Sequence, residues 1–88
     1  MAYRSAADPA FKRRLEAKET KDQAALLACI RQILDNPRHI GLRSKKLQGA
    51  GIWYSRASRS KRVTWEYGER GTIVFRNHCD HDEVLRNP

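Results

Sequence analysis

Ile52-Trp53-Tyr54-Ser55-Arg56-Ala57-Ser58 and Arg62-Val63-Thr64-Trp65-Glu66-Tyr67 decide the fold of this chain. Apolar and polar residues alternate in both, which is the period of a half-buried β-strand. Arg59-Ser60-Lys61 between them reads as the turn of an antiparallel hairpin. Alternation alone leaves open which of Trp53 and Tyr54 points inward. A third extended segment, Thr72-Ile73-Val74-Phe75-Arg76-Asn77, follows a second turn at Gly68-Glu69-Arg70-Gly71 and ends near His78. It runs into His78-Cys79-Asp80-His81-Asp82-Glu83, and Asp82 to Leu85 adds one helical turn or a last edge.

Upstream of the hairpin the period changes to that of helices. Asp8-Pro9 is a helix start, with Asp8 as N-cap and Pro9 at the first helical position. Phe11 and Leu15, four apart, give the first helix one apolar stripe, and it ends near Lys18. Thr20-Lys21-Asp22-Gln23 matches a capping box, so a second helix runs from there to about Asn36. Pro37 stops it, because the residue before a proline is pushed out of helical geometry. Leu26, Leu27, Ile30, Ile33 and Leu34 share its broad apolar face, with Cys29 at the margin. Residues 41–51 form a loop or irregular strand, and residues 1–6 an edge strand or a tail.

The order helix, helix, strand, strand, strand predicts an α+β domain: an N-terminal helical hairpin packed on one face of a small antiparallel sheet. The expected core is Phe11, Leu15, Leu26, Leu27, Ile30, Leu34, Leu47, Trp53, Val63, Trp65, Ile73 and Phe75. At 88 residues, the whole of 1–88 is one domain with one small core. Its longest apolar run, Ala24 to Ile30, falls far short of the about 20 residues a membrane-spanning helix needs. The opening residues lack a signal-peptide pattern, so a cytoplasmic setting with reduced Cys29 and Cys79 is expected. The two cysteines match no zinc spacing, and the cluster of His78, Cys79 and His81 lacks a distant fourth ligand.

The net charge of +8 implies an anionic partner. Its distribution is more telling. No acid occurs between Asp35 and Glu66, where Arg38, Arg43, Lys45, Lys46, Arg56, Arg59, Lys61 and Arg62 all fall. Basic loops beside aromatic strands favour nucleic acid over a lipid surface, since no segment has the two faces of a membrane-lying helix.

These residues resemble the RelE/ParE superfamily of toxins from bacterial type II toxin–antitoxin systems. Asp8-Pro9-Ala10-Phe11-Lys12 is similar to the family's opening helix with its buried aromatic. Asn36-Pro37-Arg38-His39-Ile40-Gly41-Leu42 followed by Lys46-Leu47-Gln48-Gly49 is similar to its "P-x-x-x-x-L…K-L-x-G" passage. Ile52 to Ala57 followed by Lys61 to Trp65 resembles its cationic hairpin, and His81-Asp82-Glu83-Val84-Leu85 its "H-d-x-V-Y" ending. The pieces fall in the family's order from Asp8 to Pro88.

The resemblance implies an endoribonuclease that cleaves mRNA, in most members on the ribosome, without metal or other cofactor. It implies a cognate antitoxin partner that wraps the toxin. The ParE branch instead poisons DNA gyrase, and an inactive RNA-binding member is a third reading. By position, Arg56 and Arg62 match the catalytic strand cations and His81 the C-terminal histidine. Leu85 stands where an aromatic is common, and Tyr54 where some members have lysine.

RNA cleavage of this kind needs a base for the 2′-hydroxyl, an acid for the leaving 5′-oxygen and cations for the phosphorane charge. Arginine stays charged and braces phosphate with paired hydrogen bonds. Histidine, titrating near about 6.5, serves either proton role. The catalytic expectation is therefore Arg56 and Arg62 as stabilisers, His81 as acid or base and His78 as a second proton-transfer group. Lys45, Lys46, Arg59, Lys61 and Tyr54 are expected to contact RNA.

Overall fold

The computed structural model describes residues 2–47 and 51–80. The element expected at 82–85 lies outside them. In chain order the elements are β1 (Arg4–Ala7), α1 (Pro9–Glu16), α2 (Thr20–Asp35), a short 3-10 turn (Ile40–Leu42), β2 (Lys45–Lys46), β3 (Trp53–Arg56), β4 (Lys61–Tyr67) and β5 (Thr72–Asp80). The five strands form one sheet in the order β1-β5-β4-β3-β2. The α+β architecture is the one expected, with the two helices on one face.

The helix starts show where local signals hold. The Asp8 side chain accepts from the Ala10 amide at 2.8 Å, and Pro9 occupies the first turn. Phe11 and Leu15 then face the sheet and are buried. The capping box at Thr20 and Gln23 does not form. Glu19 takes the extended cap geometry, so Thr20 is already helical, and no side-chain cap bond is present. The Glu19 carbonyl accepts from the Gln23 amide instead, at 2.9 Å. α2 stops at Asp35, just before Pro37.

One strand goes beyond the expected antiparallel sheet. Residues 4–7 pair in parallel with β5, from Arg4 opposite Thr72 to Ala7 opposite Phe75. The sheet is therefore mixed. Tyr3 N–H donates to the Leu34 carbonyl and Arg4 N–H to that of Gly71, both at 2.9 Å, which pins the entry to this edge. The remaining pairs are antiparallel, as the meander predicted. β4 begins at Lys61, a residue earlier than expected, and the short β2 orders part of the 41–51 loop.

β3 and β4 settle the Trp53 and Tyr54 question. Trp53 pairs with Trp65 and Ser55 with Val63, so these four share the helix-facing side. Tyr54 pairs with Thr64 and Arg56 with Arg62 on the other side. Trp53 stacks on Trp65 with ring centroids 5.8 Å apart. The buried core gathers Phe11, Leu15, Leu26, Leu34, Val63, Trp65, Ile73 and Phe75 as expected. Leu27, Ile30 and Trp53 are only partly buried against it, and Leu47 is not among the buried residues. Cys29, Ile33 and Leu42 join the core instead. Cys29 is central rather than marginal because it faces β3, with Sγ 3.7 Å from the Arg56 carbonyl. Burial pushes its thiol up to about 12 against the pull of Arg62, so it stays an uncharged packing group.

A β-bulge interrupts the pairing of β4 with β5. Thr64 lies opposite Asn77, but Trp65 lies opposite Phe75, and Arg76 is the extra residue. Before the bulge, Ile73 and Phe75 face the helices. The extra residue shifts the alternation by one, so His78, opposite Val63, also faces them.

Candidate nucleic-acid interface

The face turned away from the helices carries a small cationic cleft of about 150 Å³, lined by Arg43, Lys45, Tyr54, Arg56 and Arg62. Strand register builds it. Arg56 and Arg62 are direct cross-strand partners, and Lys45 is the partner of Tyr54. Like charges placed opposite each other on a sheet repel. Among the described residues, no carboxylate lines the cleft to offset that repulsion. An arrangement of this kind is stabilised by an anion.

Arg62 is held before any ligand arrives. Its Nη1 donates to the carbonyls of Ser58, Arg59 and Lys61 at 2.8, 3.3 and 3.0 Å. The loop that supplies those carbonyls is itself closed: the Lys61 carbonyl accepts from the amides of Ala57 and Ser58, and Lys61 N–H donates to the Ser58 hydroxyl. Among the described residues, Nε and Nη2 of Arg62 have no protein acceptor. Burial lowers the Arg62 pKa first and the neighbouring Arg56 lowers it further, while Tyr54 and Cys29 act the other way. It nonetheless remains a cation at neutral pH.

Arg43 enters the cleft through backbone geometry. It caps the 3-10 turn in the left-handed region, at φ 48° and ψ 43°, with its amide bonded to the Ile40 carbonyl at 3.2 Å. Both its neighbours are fixed. Leu42 is buried in the core. The Ser44 hydroxyl lies 2.6 Å from that of Ser55 and 3.4 Å from the Pro37 carbonyl, and Trp65 Nε1 donates to Ser55 at 2.8 Å. The Pro37 oxygen only accepts, so Ser44 donates to it. Ser55 therefore donates to Ser44, and the relay runs one way from Trp65 to Pro37. That relay ties the loop bearing Arg43 to the centre of the sheet.

The structure thus gathers Arg56, Arg62, Lys45 and Tyr54 and adds Arg43, which the sequence reading left among the general basic residues. The signal for Arg43 was its place in the acid-free stretch directly before Lys45. The other expected contacts fall elsewhere. Lys46 pairs with Trp53 and so lies on the opposite side of β2 from Lys45. Arg59 is exposed in the turn, where its carbonyl rather than its side chain holds Arg62. Lys61 precedes Arg62 on the strand and lies on the His78 side, where its charge is felt by the imidazole.

His78 does not belong to the cleft, and this corrects the expectation of a second proton-transfer group there. It is 1% exposed and sits among core residues on the helix-facing side. Its Nε2 lies 3.0 Å from the Phe11 carbonyl, which only accepts, so Nε2 carries the proton. Phe11 meets the ring edge-on at 4.5 Å. Nδ1 is buried with no hydrogen-bond partner among the described residues. Burial lowers the pKa first; the Phe11 carbonyl opposes this, and Lys18, Arg14 and Lys61 add to the lowering. The bulge at Arg76 is the cause, since it turned the residue inward. His81, the other expected imidazole, lies outside the described residues. Among those that are described, no helix is long and apolar enough to cross a membrane.

No family model matches the sequence, and no curated protein matches it either. Solved structures do match the fold. YafQ from E. coli strain BL21(DE3) superposes with a TM-score of 0.73 at 10% identity, over 94% of this chain and 98% of its own. The RelBE2 toxin–antitoxin complex from Mycobacterium tuberculosis gives a chain with a TM-score of 0.73 at 15% identity, covering 92% and 100%. The archaeal RelE–RelB complex from Pyrococcus horikoshii gives 0.70 at 21% identity, covering 91% and 96%. The fold is that of the RelE/ParE toxins, in near full-length correspondence.

Proposed function

We propose that this chain, built on the RelE/ParE toxin fold, is the toxin of a toxin–antitoxin pair and acts as a metal-independent endoribonuclease on mRNA at the ribosome. The observation that carries this reading is the opposed pair Arg56 and Arg62, converging with Arg43 and Lys45 in a cleft whose described lining holds no carboxylate. Such a cleft takes a phosphodiester. The bracing of Arg62 by three carbonyls supports the same reading, because a donor already in place costs little to reorganise as charge develops.

In this reaction a base removes the 2′-hydroxyl proton and the 2′-oxygen attacks phosphorus. Arg56 and Arg62 stabilise the extra negative charge of the phosphorane. An acid gives its proton to the departing 5′-oxygen, leaving a cyclic phosphate and a 5′-hydroxyl. His81 is assigned the proton-transfer role. Tyr54 and Lys45 flank the phosphate, and Arg43 takes its outer oxygens. A cognate antitoxin, as in the RelE–RelB and DinJ–YafQ complexes of the matching structures, supplies the acidic surface that neutralises the basic one.

The test is to incubate the purified protein with translating ribosomes and map mRNA 5′ ends, beside Arg62→Ala and His81→Ala. New ends that vanish in both variants support the assignment. RNA that binds but is never cut would move the chain to a non-enzymatic inhibitor, with gyrase as the target to assay next.

A further inference from the structure

A second, larger cavity of about 600 Å³ opens on the helix-facing side of the sheet, beyond the C-terminal end of α2. Its wall is aromatic. Trp53 stacks on Trp65, and Trp65 meets Tyr67 edge-on with centroids 5.1 Å apart. Trp65 is 1% exposed and forms the back of the groove, while Tyr67 is 46% exposed at its mouth. Arg38, Ile40 and Arg43 complete the rim, and Ile40 is 90% exposed. Among the described residues, no carboxylate lines this groove either. Arg43 lines both the groove and the cationic cleft. The two cavities are therefore neighbours across the edge strand β2, separated by the span of one arginine side chain.

We propose that the groove is a nucleobase subsite: it takes the base next to the phosphate held in the cleft, with Arg43 contacting the strand where it passes from one cavity to the other. The proposal rests on the reading of the cleft as an RNA phosphate site. Its own support is compositional and geometric. Aromatic rings and guanidinium planes are the surfaces on which unpaired bases stack. Trp65 Nε1 is already bonded to Ser55 and its ring is buried behind the wall, so the surface open to a base is that of the half-buried Trp53 and the exposed Tyr67. A paired base could not reach such a groove, so the subsite selects single-stranded RNA. An acidic peptide with an aliphatic anchor is the competing occupant, but it would leave the aromatic wall without stacking partners.

The protein contains two tryptophans and both line the groove, which gives a direct readout. The full chain is titrated with a short 2′-O-methyl oligonucleotide, which cannot be cleaved, and with an abasic strand of equal length. Tryptophan fluorescence and affinity are followed together. The base-bearing strand is expected to change the fluorescence and to bind at least about 5-fold more tightly than the abasic one. Tyr67→Ala and Arg38→Ala, checked as folded by circular dichroism, are expected to bring the two affinities together. Equal binding of both strands with unchanged fluorescence overturns the subsite and leaves the cleft reading standing. Failure of both strands to bind overturns both. An acidic peptide that displaces the oligonucleotide and itself changes the fluorescence assigns the groove to a protein partner and overturns the proposal.

Discussion

β4 pairs with β3 on one side and β5 on the other, and the two sides handle ionisable residues in opposite ways. On the β3 side the register is regular. Arg56 and Arg62 meet on the face away from the helices and keep their charge beside a cleft. On the β5 side one extra residue, Arg76, shifts the alternation, and His78 is carried into the core. Both sides bear side chains that catalyse or bind in many proteins. Among the described residues, the regular side leaves its arginines at a cleft and the irregular side buries its histidine. A single backbone irregularity decides whether an imidazole is a tool or a packing group.

Deleting residues from β5 breaks this comparison most severely. Removing Val74 reverses the faces of Ile73 and everything before it, so the strand loses its core contacts or its register. The expected outcome is an unfolded or insoluble protein. Removing Arg76 takes out the extra residue itself, and Phe75, Asn77 and His78 keep their faces. That variant is expected to fold, with a cooperative melt and the wild-type circular dichroism spectrum. Loss of folding in both deletions would show that the bulge is required for more than placing His78.

Next comes the cleft. Arg62→Ala is expected to lower the cleavage rate by about 10²–10³-fold, the range for removing one preorganised charge-stabilising donor. Tm is expected to change little, because among the described residues Arg62 bonds to the carbonyls of the turn beside it. Lys45→Ala is milder. Its RNA affinity should fall and the slope of log K against log salt should flatten by about 0.7, the value for one lost phosphate contact on a single strand. An unchanged slope would remove Lys45 from the phosphate site.

His78 gives the smaller, pH-dependent effect. Its folded pKa lies below the unfolded value of about 6.5. Above that pH the ring is neutral in both states and its packing contributes fully. As pH falls below it, the unfolded chain takes up a proton that the folded chain refuses. Stability is then lost at up to about 1.4 kcal/mol per pH unit, until the folded pKa is reached. Arg14, Lys18 and Lys61 are the cations that face the ring and resist its charging. A His78→Gln variant, compared with wild type by denaturant titration from pH 8 to 5, is expected to lack this slope. Cleavage by that variant, measured where both are folded, should stay near wild type.

The smallest effect is expected at Arg76 and Glu66. Their ion pair at 3.4 Å is solvent-exposed. Arg76→Ala should cost no more than about 1 kcal/mol. A larger loss would mean that the bulge needs the Arg76 side chain as well as its backbone.

Much of this was written locally. Asp8, Pro9 and Pro37 mark helix limits through groups within a few bonds of the backbone, and those limits held to within a few residues. The alternation in 52–58 and 62–67 set the hairpin and placed Arg56 near Arg62. The capping box failed because the same few residues fit two cap positions, and only the turn geometry at Glu19 chose between them. Cys29 looked marginal on a helical wheel, yet the direction of β3 made it central. β1 carried no clear strand pattern, since its pairing depends on β5, far along the chain. Arg43 could be ranked no higher than its basic neighbours without the left-handed turn that aims it.

Charge, the helical hairpin, the β-meander and the pairing of two arginines on adjoining strands were determined by the sequence itself. Each rests on periodicity or on residues close in the chain, where sterics and local hydrogen bonds suffice. The tertiary structure alone decided that His78 is buried, that Arg43 and Lys45 share the arginines' cleft while Lys46 does not, and that two tryptophans back a groove beside it. Those outcomes follow from strand register, one bulge and a left-handed residue. Register is chosen by the burial of the whole core rather than by any short stretch, so no local pattern could announce it.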